Sequence, residues 1–246
     1  MPDIMLKFLS LCALLFAGAA SAQSLEPARH GDFVHYTYAL TWQPGFCASG
    51  DGCLPDQPKA ELIGLHGLWP SLPQSLIDQK VPVQQWWAKG CGFFPHVNAI
   101  PVLPAELLQR LKETMPQLKD DLLTHEYVKH VQCFGYKSED FFTTALQMRE
   151  DVVDSDFGRY LLAEAGTVRT REELVDAFAK AFGTDQRRAL QLQCGKDARQ
   201  RNVLTQFWFT IRADKLDSFP SAGSLVDTPA GEYEDNCSEP FLLPKW

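Results

Sequence analysis

Six cysteines behind an export signal place the strongest limits on how this 246-residue chain can fold. Residues 6–20 form an apolar run, and Ala20-Ser21-Ala22 supplies the small-x-small pattern of a cleavage site, so residues 1–22 are expected to be a signal peptide. The run is too short to span a bilayer, which argues against a membrane anchor. The mature chain, 23–246, keeps an even number of cysteines, which predicts three disulfides formed in the periplasm or outside the cell.

The mature cysteines are spread along the whole chain. They are Cys47, Cys53, Cys91, Cys133, Cys194 and Cys237. Sequence alone leaves their pairing open, although Cys47 and Cys53 bracket a Gly-rich loop that a local disulfide could close.

Composition is that of an ordinary globular protein with an acidic balance. Hydrophobic residues make up 45% of the chain and charged residues 22%, and the formal net charge is −8. Such a charge argues against a broad basic face that coats long nucleic acid. It still allows a local cationic pocket that grips a phosphate.

No repeat, low-complexity tract or linker divides residues 23–246, so a single α+β domain is predicted. Alternating and helical periodicities define its elements. Predicted strands are 33–42, 61–65, 190–194 and 203–212, and predicted helices are 83–89, 104–115, 124–132, 138–152 and 156–165. Thr170-Arg171-Glu172-Glu173 is a capping box that opens one further helix.

The stretch 125–133 (HEYVKHVQC) concentrates reactive side chains on one predicted helix. At about 3.6 residues per turn, Glu126, Lys129, His130 and Cys133 fall within an arc of roughly 100°, and His125 lies one step round. One face therefore presents a carboxylate, an ammonium and an imidazole beside a cysteine. Taken alone, such a cluster is also compatible with a solvated, charged helix face.

A second stretch, 66–70 (HGLWP), follows the short apolar strand 61–65. Gly67 lets the backbone approach a ligand or a neighbour closely, and Pro70 stops the strand. His66 is therefore expected at a strand end beside the Trp69 indole, a common place for catalytic groups.

Two histidines on separate elements, with Glu126 and Lys129 beside one of them, fit acid–base cleavage of a phosphodiester. A base must take a proton from the attacking hydroxyl, and an acid must protonate the leaving oxygen. Imidazoles suit both roles because their pKa lies near working pH. Lys129 suits the stabilisation of charge on the phosphoryl oxygens, and Glu126 could orient His130 or raise its pKa.

At these residues the sequence resembles the ribonuclease T2 family, in particular its bacterial periplasmic members. The two active-site segments of that family resemble residues 63–70 and 125–133, and the likeness also takes in 40–47 (LTWQPGFC) and the spacing to the C-terminal cysteines. It thus covers nearly the whole mature chain. The resemblance implies an α+β ribonuclease fold with a central antiparallel sheet flanked by helices.

The resemblance also implies an endoribonuclease that cleaves single-stranded RNA without a metal or cofactor. The 2′-hydroxyl attacks phosphorus and gives a 2′,3′-cyclic phosphate; the final product is either this cyclic phosphate or the 3′-phosphate formed by its hydrolysis. DNA lacks that hydroxyl, so no DNA cleavage is expected. By position, His130 matches the general base and His66 the general acid, with roles exchanged in the hydrolytic step.

Other matched residues contact the substrate or hold the site together. Glu126 and Lys129 match residues that stabilise the transition state, His125 matches a phosphate-binding histidine, and Trp69 matches an aromatic that stacks on a base. The implied disulfides are Cys91–Cys133 and Cys194–Cys237, with Cys47–Cys53 as the remaining pair.

The chain departs from the family pattern at two informative positions. Val131 stands where the family more often has glycine, and a β-branched residue could not replace a glycine at positive φ. Ser71 stands where some members carry an aspartate that reads the base, so low base specificity is expected.

Two rival functions are considered. His125-Glu126-x-x-x-His130 superficially resembles the zinc motif His-Glu-x-x-His, but its histidines would lie about 140° apart round a helix rather than about 40°. A ribonuclease-like fold without turnover would act as an RNA-binding or interaction protein; the intact His66, Glu126, Lys129 and His130 argue against it. The enzyme is expected to be a monomer.

Overall fold

A six-stranded sheet forms the centre of the computed structural model, which describes residues 25–50 and 52–246. The predicted signal peptide, 1–22, lies outside the described residues. The strand order is β2-β1-β5-β6-β3, and β4 pairs with β5 off this path. The strands are β1 His35–Trp42, β2 Ile63–Pro70, β3 Val168–Arg169, β4 Leu190–Lys196, β5 Asn202–Arg212 and β6 Phe241–Leu242.

The expectation of an α+β domain with a central antiparallel sheet is confirmed, with one addition. The pairs β1–β2, β1–β5 and β4–β5 are all antiparallel. The short β6 meets β5 in parallel at Val203 and Leu242, so the sheet as a whole is mixed.

Helices cover the sheet and connect its strands. They are α1 Gln43–Ala48, α2 Gln74–Asp78, α3 Val83–Lys89, α4 Ala105–Thr114, α5 Leu122–Glu126, α6 Ser138–Asp154, α7 Asp156–Ala163 and α8 Arg171–Phe182. The capping box predicted at Thr170 is present at the start of α8. Within the described residues, no helix is both long and apolar enough to cross a membrane.

Part of the core lies between β5 and the helices of the C-terminal half. Phe207, Phe209 and Ile211 alternate on one face of β5 and are fully buried. Phe157 of α7 packs edge-on against Phe207 and Phe209. Each such side chain contributes roughly 1.5–3 kcal/mol on burial, so this half forms a rigid support for the sheet.

A buried arginine fixes the start of β2. Arg149 of α6 is 1% exposed, and its Nε and Nη2 donate to the Ile63 carbonyl at 2.9 and 2.7 Å. Its guanidinium also binds the carboxylates of Glu61 and Glu150, at 2.7 and 2.8 Å. A buried cation needs such partners, and here they tie the strand that carries His66 to the helical layer.

Three disulfides join the cysteines in the pairs that the resemblance implies. They are Cys47–Cys53, Cys91–Cys133 and Cys194–Cys237. The second pair connects the loop after α3 to the end of the segment 125–133, and the third connects β4 to the C-terminal segment. Both therefore act close to the candidate site.

Candidate active site

His66 lies inside β2, where the sequence predicts the end of a strand. The antiparallel ladder with β1 continues to Pro70, but its register shifts between Ala39 and Leu40. Ala39 pairs with Gly67 and Leu40 pairs with Leu65, which leaves His66 as the extra, unpaired residue of a β-bulge. Bulges re-aim side chains, so the strand can continue while the imidazole turns toward the site.

The segment 125–133 is not the continuous α-helix that the sequence predicts. The helix α5 begins after Asp121, whose side chain accepts from the Thr124 amide at 2.9 Å, and it ends at Glu126. A π-turn follows over Tyr127–Val131, and a 3₁₀ turn over Gln132–Phe134. The disulfide to Cys91 fixes the far end of this segment, and the Cys133 amide also donates to the Cys91 sulfur at 3.2 Å. Single π-turns of this kind are frequent at functional sites.

The π-turn brings His125 and His130 to the same side of the segment. Its hydrogen bonds join residues five apart, which is the separation of these two histidines. Their ring centroids lie 6.4 Å apart. The angle of about 140° between residues five apart in a regular α-helix therefore does not apply to His125 and His130.

Val131 takes the place of the family glycine without backbone strain. Its φ is −121°, in the range that β-branched residues adopt, and its side chain is fully buried. The left-handed position falls instead on Gly135, with φ of 73°.

A glycine allows the loop after α3 to approach the π-turn. Gly90 has a φ of +48°, and a Cβ there would lie 2.2 Å from the Lys129 carbonyl oxygen. Glycine tolerates both this conformation and this contact, so the backbone beside Cys91 packs directly on the turn that carries Lys129.

Glu126 joins the two halves of the site, which are the strand half, residues 66–70 of β2, and the helical half, residues 125–133. Trp69 Nε1 donates to Glu126 Oε2 at 2.5 Å, and His66 Nε2 lies 3.6 Å from Glu126 Oε1. Gly67 makes the contact sterically possible, because a Cβ there would lie 2.1 Å from Glu126 Oε2. The carboxyl is therefore held by the strand half although it belongs to the helical half.

Burial disfavours the charged forms of Glu126, His66 and His130 and shifts their pKa values accordingly. It raises the pKa of Glu126 to about 8, against the opposing effects of the Trp69 hydrogen bond and Lys129. It lowers the pKa of His66 to about 4, helped by His125 and Lys129. Burial, Lys129 and His125 also hold the pKa of His130 well below its ordinary value.

The indole of Trp69 lies between the two imidazoles. Its ring centroid is 5.5 Å from that of His66 and 5.4 Å from that of His130. The Nδ1 atoms of both histidines are buried and have no hydrogen-bond partner among the described residues. Both rings are thus placed by packing rather than by a bonded orienting group.

Every predicted substrate-contacting or catalytic residue lines one cavity of about 270 Å³. These residues are His66, Trp69, His125, Glu126, Lys129 and His130. His125 has an exposed side chain at the edge of the cavity. Partial desolvation of its ring and the nearby Lys129 lower its pKa, as for the other two imidazoles. A negatively charged group entering this cavity would meet one ammonium and three imidazoles.

Three further aromatic residues line the cavity and were missed from the sequence. They are Trp87, Trp208 and Tyr233. The neighbouring Trp86 serves packing instead: it is buried and donates to the Pro70 carbonyl at 3.1 Å. No motif marks Tyr233, which comes from a segment near the C-terminus.

Three residues of the cavity also have the composition of a metal site. Among residues 25–50 and 52–246, His125, Glu126 and His130 each offer a ligand atom, and these atoms lie within 4.8 Å of one another. Glu126 already accepts from Trp69 and faces His66, so an ion bound there would compete with those contacts. Metal-free cleavage stays a prediction.

Comparison with known proteins agrees with the expected family. The sequence profile of the Ribonuclease T2 family matches residues 33–221. Ribonuclease I of Escherichia coli (strain K12) is 31% identical, over 95% of this chain and 94% of its own length.

Two solved structures share the fold at lower sequence identity. RNase NT in complex with 5′-AMP has a TM-score of 0.58 and 18% identity, covering 87% of this chain and 100% of its own. The SF11-RNase of Nicotiana alata, associated with gametophytic self-incompatibility, has a TM-score of 0.57, also at 18% identity and with the same coverage. With the family match and the ribonuclease I relative, these findings confirm the expected fold and enzyme class: the chain belongs to the ribonuclease T2 family and is an RNA-cleaving enzyme.

Proposed function

We propose that this enzyme cleaves single-stranded RNA by metal-independent transphosphorylation, through a 2′,3′-cyclic phosphate and with low base specificity. One observation carries the proposal. His66 and His130 flank Trp69 on the wall of a single cavity, with Glu126 and Lys129 beside them. This is the set of groups that an acid–base phosphoryl transfer requires.

His130 acts as the general base. Burial and the nearby Lys129 ammonium keep its imidazole neutral at pH 7, so it can accept the proton of the 2′-hydroxyl. The 2′-oxygen then attacks phosphorus and forms the cyclic phosphate. The bond from phosphorus to the 5′-oxygen of the next nucleotide breaks in the same step.

His66 acts as the general acid and protonates the departing 5′-oxygen. Its pKa of about 4 leaves it neutral in the free enzyme at pH 7. A bound phosphate places a negative charge in the cavity, and a nearby opposite charge favours the protonated imidazole. Substrate binding therefore prepares the acid. In the hydrolytic step the roles are exchanged. His66 takes a proton from water, whose oxygen attacks phosphorus where the 5′-oxygen departed; the bond from phosphorus to the 2′-oxygen breaks, and His130 protonates that oxygen.

Lys129, His125 and Glu126 stabilise the charge that grows on the phosphoryl oxygens. Lys129 and His125 line the open side of the cavity. With a pKa raised to about 8, Glu126 is largely protonated at pH 7 and presents no repulsive charge to the phosphate. A carboxylic acid kept neutral by an apolar site can donate a hydrogen bond to an oxyanion.

Low base specificity follows from what surrounds Trp69. Ser71, at the position of a base-reading aspartate in some relatives, has its hydroxyl engaged by the amides of Val34 and His35, at 3.4 and 3.3 Å. Stacking on an indole tolerates every base because each base has a π-face.

The mature enzyme, 23–246, acts after export, in the periplasm or outside the cell. Its three disulfides favour an oxidising compartment, and removal of residues 1–22 leaves the cavity residues in place. One chain supplies all the proposed catalytic groups, so a monomer suffices. RNA is the substrate, and DNA, which lacks the 2′-hydroxyl, is not cleaved.

The test is an assay of purified, oxidised protein on RNA in EDTA, with mass spectrometry of the product ends. Cleavage that yields 2′,3′-cyclic phosphate ends is expected, and the matched DNA strand should remain intact. Loss of activity in EDTA, restored by Zn²⁺, would replace this mechanism with a metal-dependent one. Efficient cleavage of DNA in EDTA would also contradict it, because DNA has no 2′-nucleophile.

A further inference from the structure

The C-terminal segment, residues 232–237, brings an aromatic ring into the catalytic cavity. We propose that Tyr233 is a base-contacting residue: together with Trp87 it forms the surface on which the base of the nucleotide that supplies the reacting 2′-hydroxyl packs. This inference rests on the proposed function, and it assigns a substrate contact to a part of the chain that carries no catalytic motif.

Tyr233 belongs to a cluster of aromatic rings from distant parts of the chain. Its ring stacks on Trp87 with centroids 4.3 Å apart and planes inclined by 17°. It meets Trp208 of β5 edge-on at 5.0 Å and lies 5.8 Å from Trp69. We call Trp87, Trp208 and Tyr233 the aromatic wall.

The aromatic wall faces the reacting groups. Its three rings line the same 270 Å³ cavity as His66, Glu126 and His130. Behind Trp87 and Tyr233 lies a second cavity, of about 10 Å³, lined in part by Thr37, Ser71 and Glu232. That space holds about one water molecule and no base. Tyr233 therefore closes off the polar groups behind it and leaves the base on the open side.

The position of His130 identifies the nucleotide concerned. His130 takes the 2′-proton, so the ribose that carries this hydroxyl lies against it. His130 borders both cavities that Tyr233 and Trp87 separate, whereas His66 borders the larger one alone. The base attached to the reacting ribose consequently lies beside Trp87 and Tyr233, and the leaving nucleotide lies toward His66.

The C-terminal segment is anchored firmly enough to hold the ring in place. Glu232 pairs with the buried His35 at 2.9 Å, on one side of Tyr233. On the other side, Asp235 accepts from the Leu192 amide at 3.1 Å, and the disulfide Cys194–Cys237 joins the segment to β4. A surface formed before substrate arrives contributes more to affinity than one that must be ordered on binding.

The chemistry of the aromatic wall favours contact with any base. Burial raises the pKa of the Tyr233 hydroxyl, so the ring stays uncharged over the working range of pH. Stacking by neutral aromatic rings depends on the π-face of the base rather than on its hydrogen-bonding edge. Tyr233 thus supplies affinity without selecting among the four bases.

The test combines a protein variant with a substrate variant. Tyr233→Ala should lower kcat/KM about 10-fold, mainly through KM, on dinucleotides whose 5′ base is A, C, G or U, and by a similar factor for each. On a dinucleotide whose 5′ ribose carries no base, the same variant should match wild type. Tyr233→Phe should keep wild-type values on all five substrates.

Controls separate a base contact from a structural role. Glu234→Ala changes an exposed side chain of the same segment, whose backbone carbonyl alone is bonded by Gln193, and should match wild type. Tyr233→Leu keeps apolar volume but lacks the ring, and it should show the base-dependent loss even where Tyr233→Ala proves unstable. An equal loss with and without the 5′ base, or no loss with the base present, would overturn the proposal.

Failure of this proposal can be told from failure of the proposed mechanism. Binding of the uncleavable 2′-deoxy dinucleotides measures base contact without chemistry. If wild type made no cyclic phosphate but Tyr233→Leu still weakened base-dependent binding, the mechanism would fail and the base contact would stand. If cyclic phosphate formed but binding did not depend on Tyr233, the base contact would fail alone.

Discussion

The two halves of the candidate active site are held in place by different kinds of structure. His66 sits on a strand whose neighbours are bonded to β1 on either side of a bulge, and Arg149 fixes the start of that strand. His130 sits in a π-turn outside any sheet, and it depends on the disulfide at Cys133 and the close approach of Gly90. A backbone ladder holds one proposed catalytic group, and a covalent bond holds the other.

Because of this difference, we expect the two halves to tolerate structural changes to different degrees. A ladder distributes its stability over many hydrogen bonds, so the loss of one changes the position of His66 little. The π-turn has few such bonds to spare, because its backbone departs from the regular helical pattern. We therefore expect the helical half to respond more strongly to changes outside the cavity.

The largest effects should come from the two histidines proposed as general base and general acid, and the two halves should behave alike in this respect. His66→Ala and His130→Ala should each lower kcat on the order of 10²–10⁴-fold, because each removes a proton-transfer group. Single-turnover kinetics on a dinucleotide measure this. His96→Ala, a loop histidine outside the cavity, is the matched control. A loss below tenfold for both catalytic variants would remove them from these roles.

Breaking the disulfide at the π-turn should distinguish the halves. Cys91→Ser with Cys133→Ser opens a 42-residue loop and should lower the free energy of unfolding by about 4 kcal/mol. The same change at Cys47 and Cys53 opens a loop of 6 and should cost about 2 kcal/mol. Urea denaturation measures both. The first variant should also lose activity while still folded; equal kcat in the two folded variants would show that the disulfide does not position His130.

Trp69→Phe tests the bond that joins the halves. The substitution keeps an aromatic ring but removes the donor to Glu126, and it should lower kcat/KM about 10-fold, the scale of a hydrogen bond to a chargeable group. It should also raise the pKa of Glu126 further, because that hydrogen bond lowers it. Trp246→Phe, which removes a bond to the Glu61 carbonyl at the surface, should leave kcat/KM unchanged.

The smallest effect is expected on the pH profile of kcat/KM when Lys129, the ammonium of the helical half, is removed. The profile of kcat/KM should be bell-shaped with its maximum below pH 6.5, because the proposed mechanism requires His66 protonated and His130 neutral, and both have lowered pKa values. Lys129→Ala removes a cation that lowers both pKa values. Both limbs should then move to higher pH, by up to about one pH unit. Movement of one limb alone would mean that Lys129 acts on one half only.

Sequence reasoning predicted the parts of the molecule whose pattern is local. A few consecutive residues are enough to predict the alternation of β5, the capping box of α8 and the strand β1. The bulge at His66 could not be predicted, since it depends on how β2 aligns with β1. The π-turn was missed for a similar reason: the residues 125–133 suit a regular helix, and tertiary ties from Cys91 and Gly90 change it.

The candidate site divides in the same way. Residues within the two motifs are brought into one cavity, while Trp208 and Tyr233 entered it from segments without any motif. Aromatic residues in a strand or near a terminus are usually part of the core, so composition gives no reason to single them out. A three-dimensional contact is what separates them from the other aromatic residues of the chain.

The contact between the two halves depends on Gly67, and a single mutation there would disrupt it. A methyl group on this residue would lie 2.1 Å from Glu126 Oε2 and 2.4 Å from Trp69 Nε1. One codon change to alanine would therefore push the carboxyl away from the strand while every reactive side chain stayed in the gene. Some genome surveys infer activity from the presence of the histidines, the glutamate and the lysine. Such a survey would count a gene with alanine at position 67 as one that encodes an enzyme.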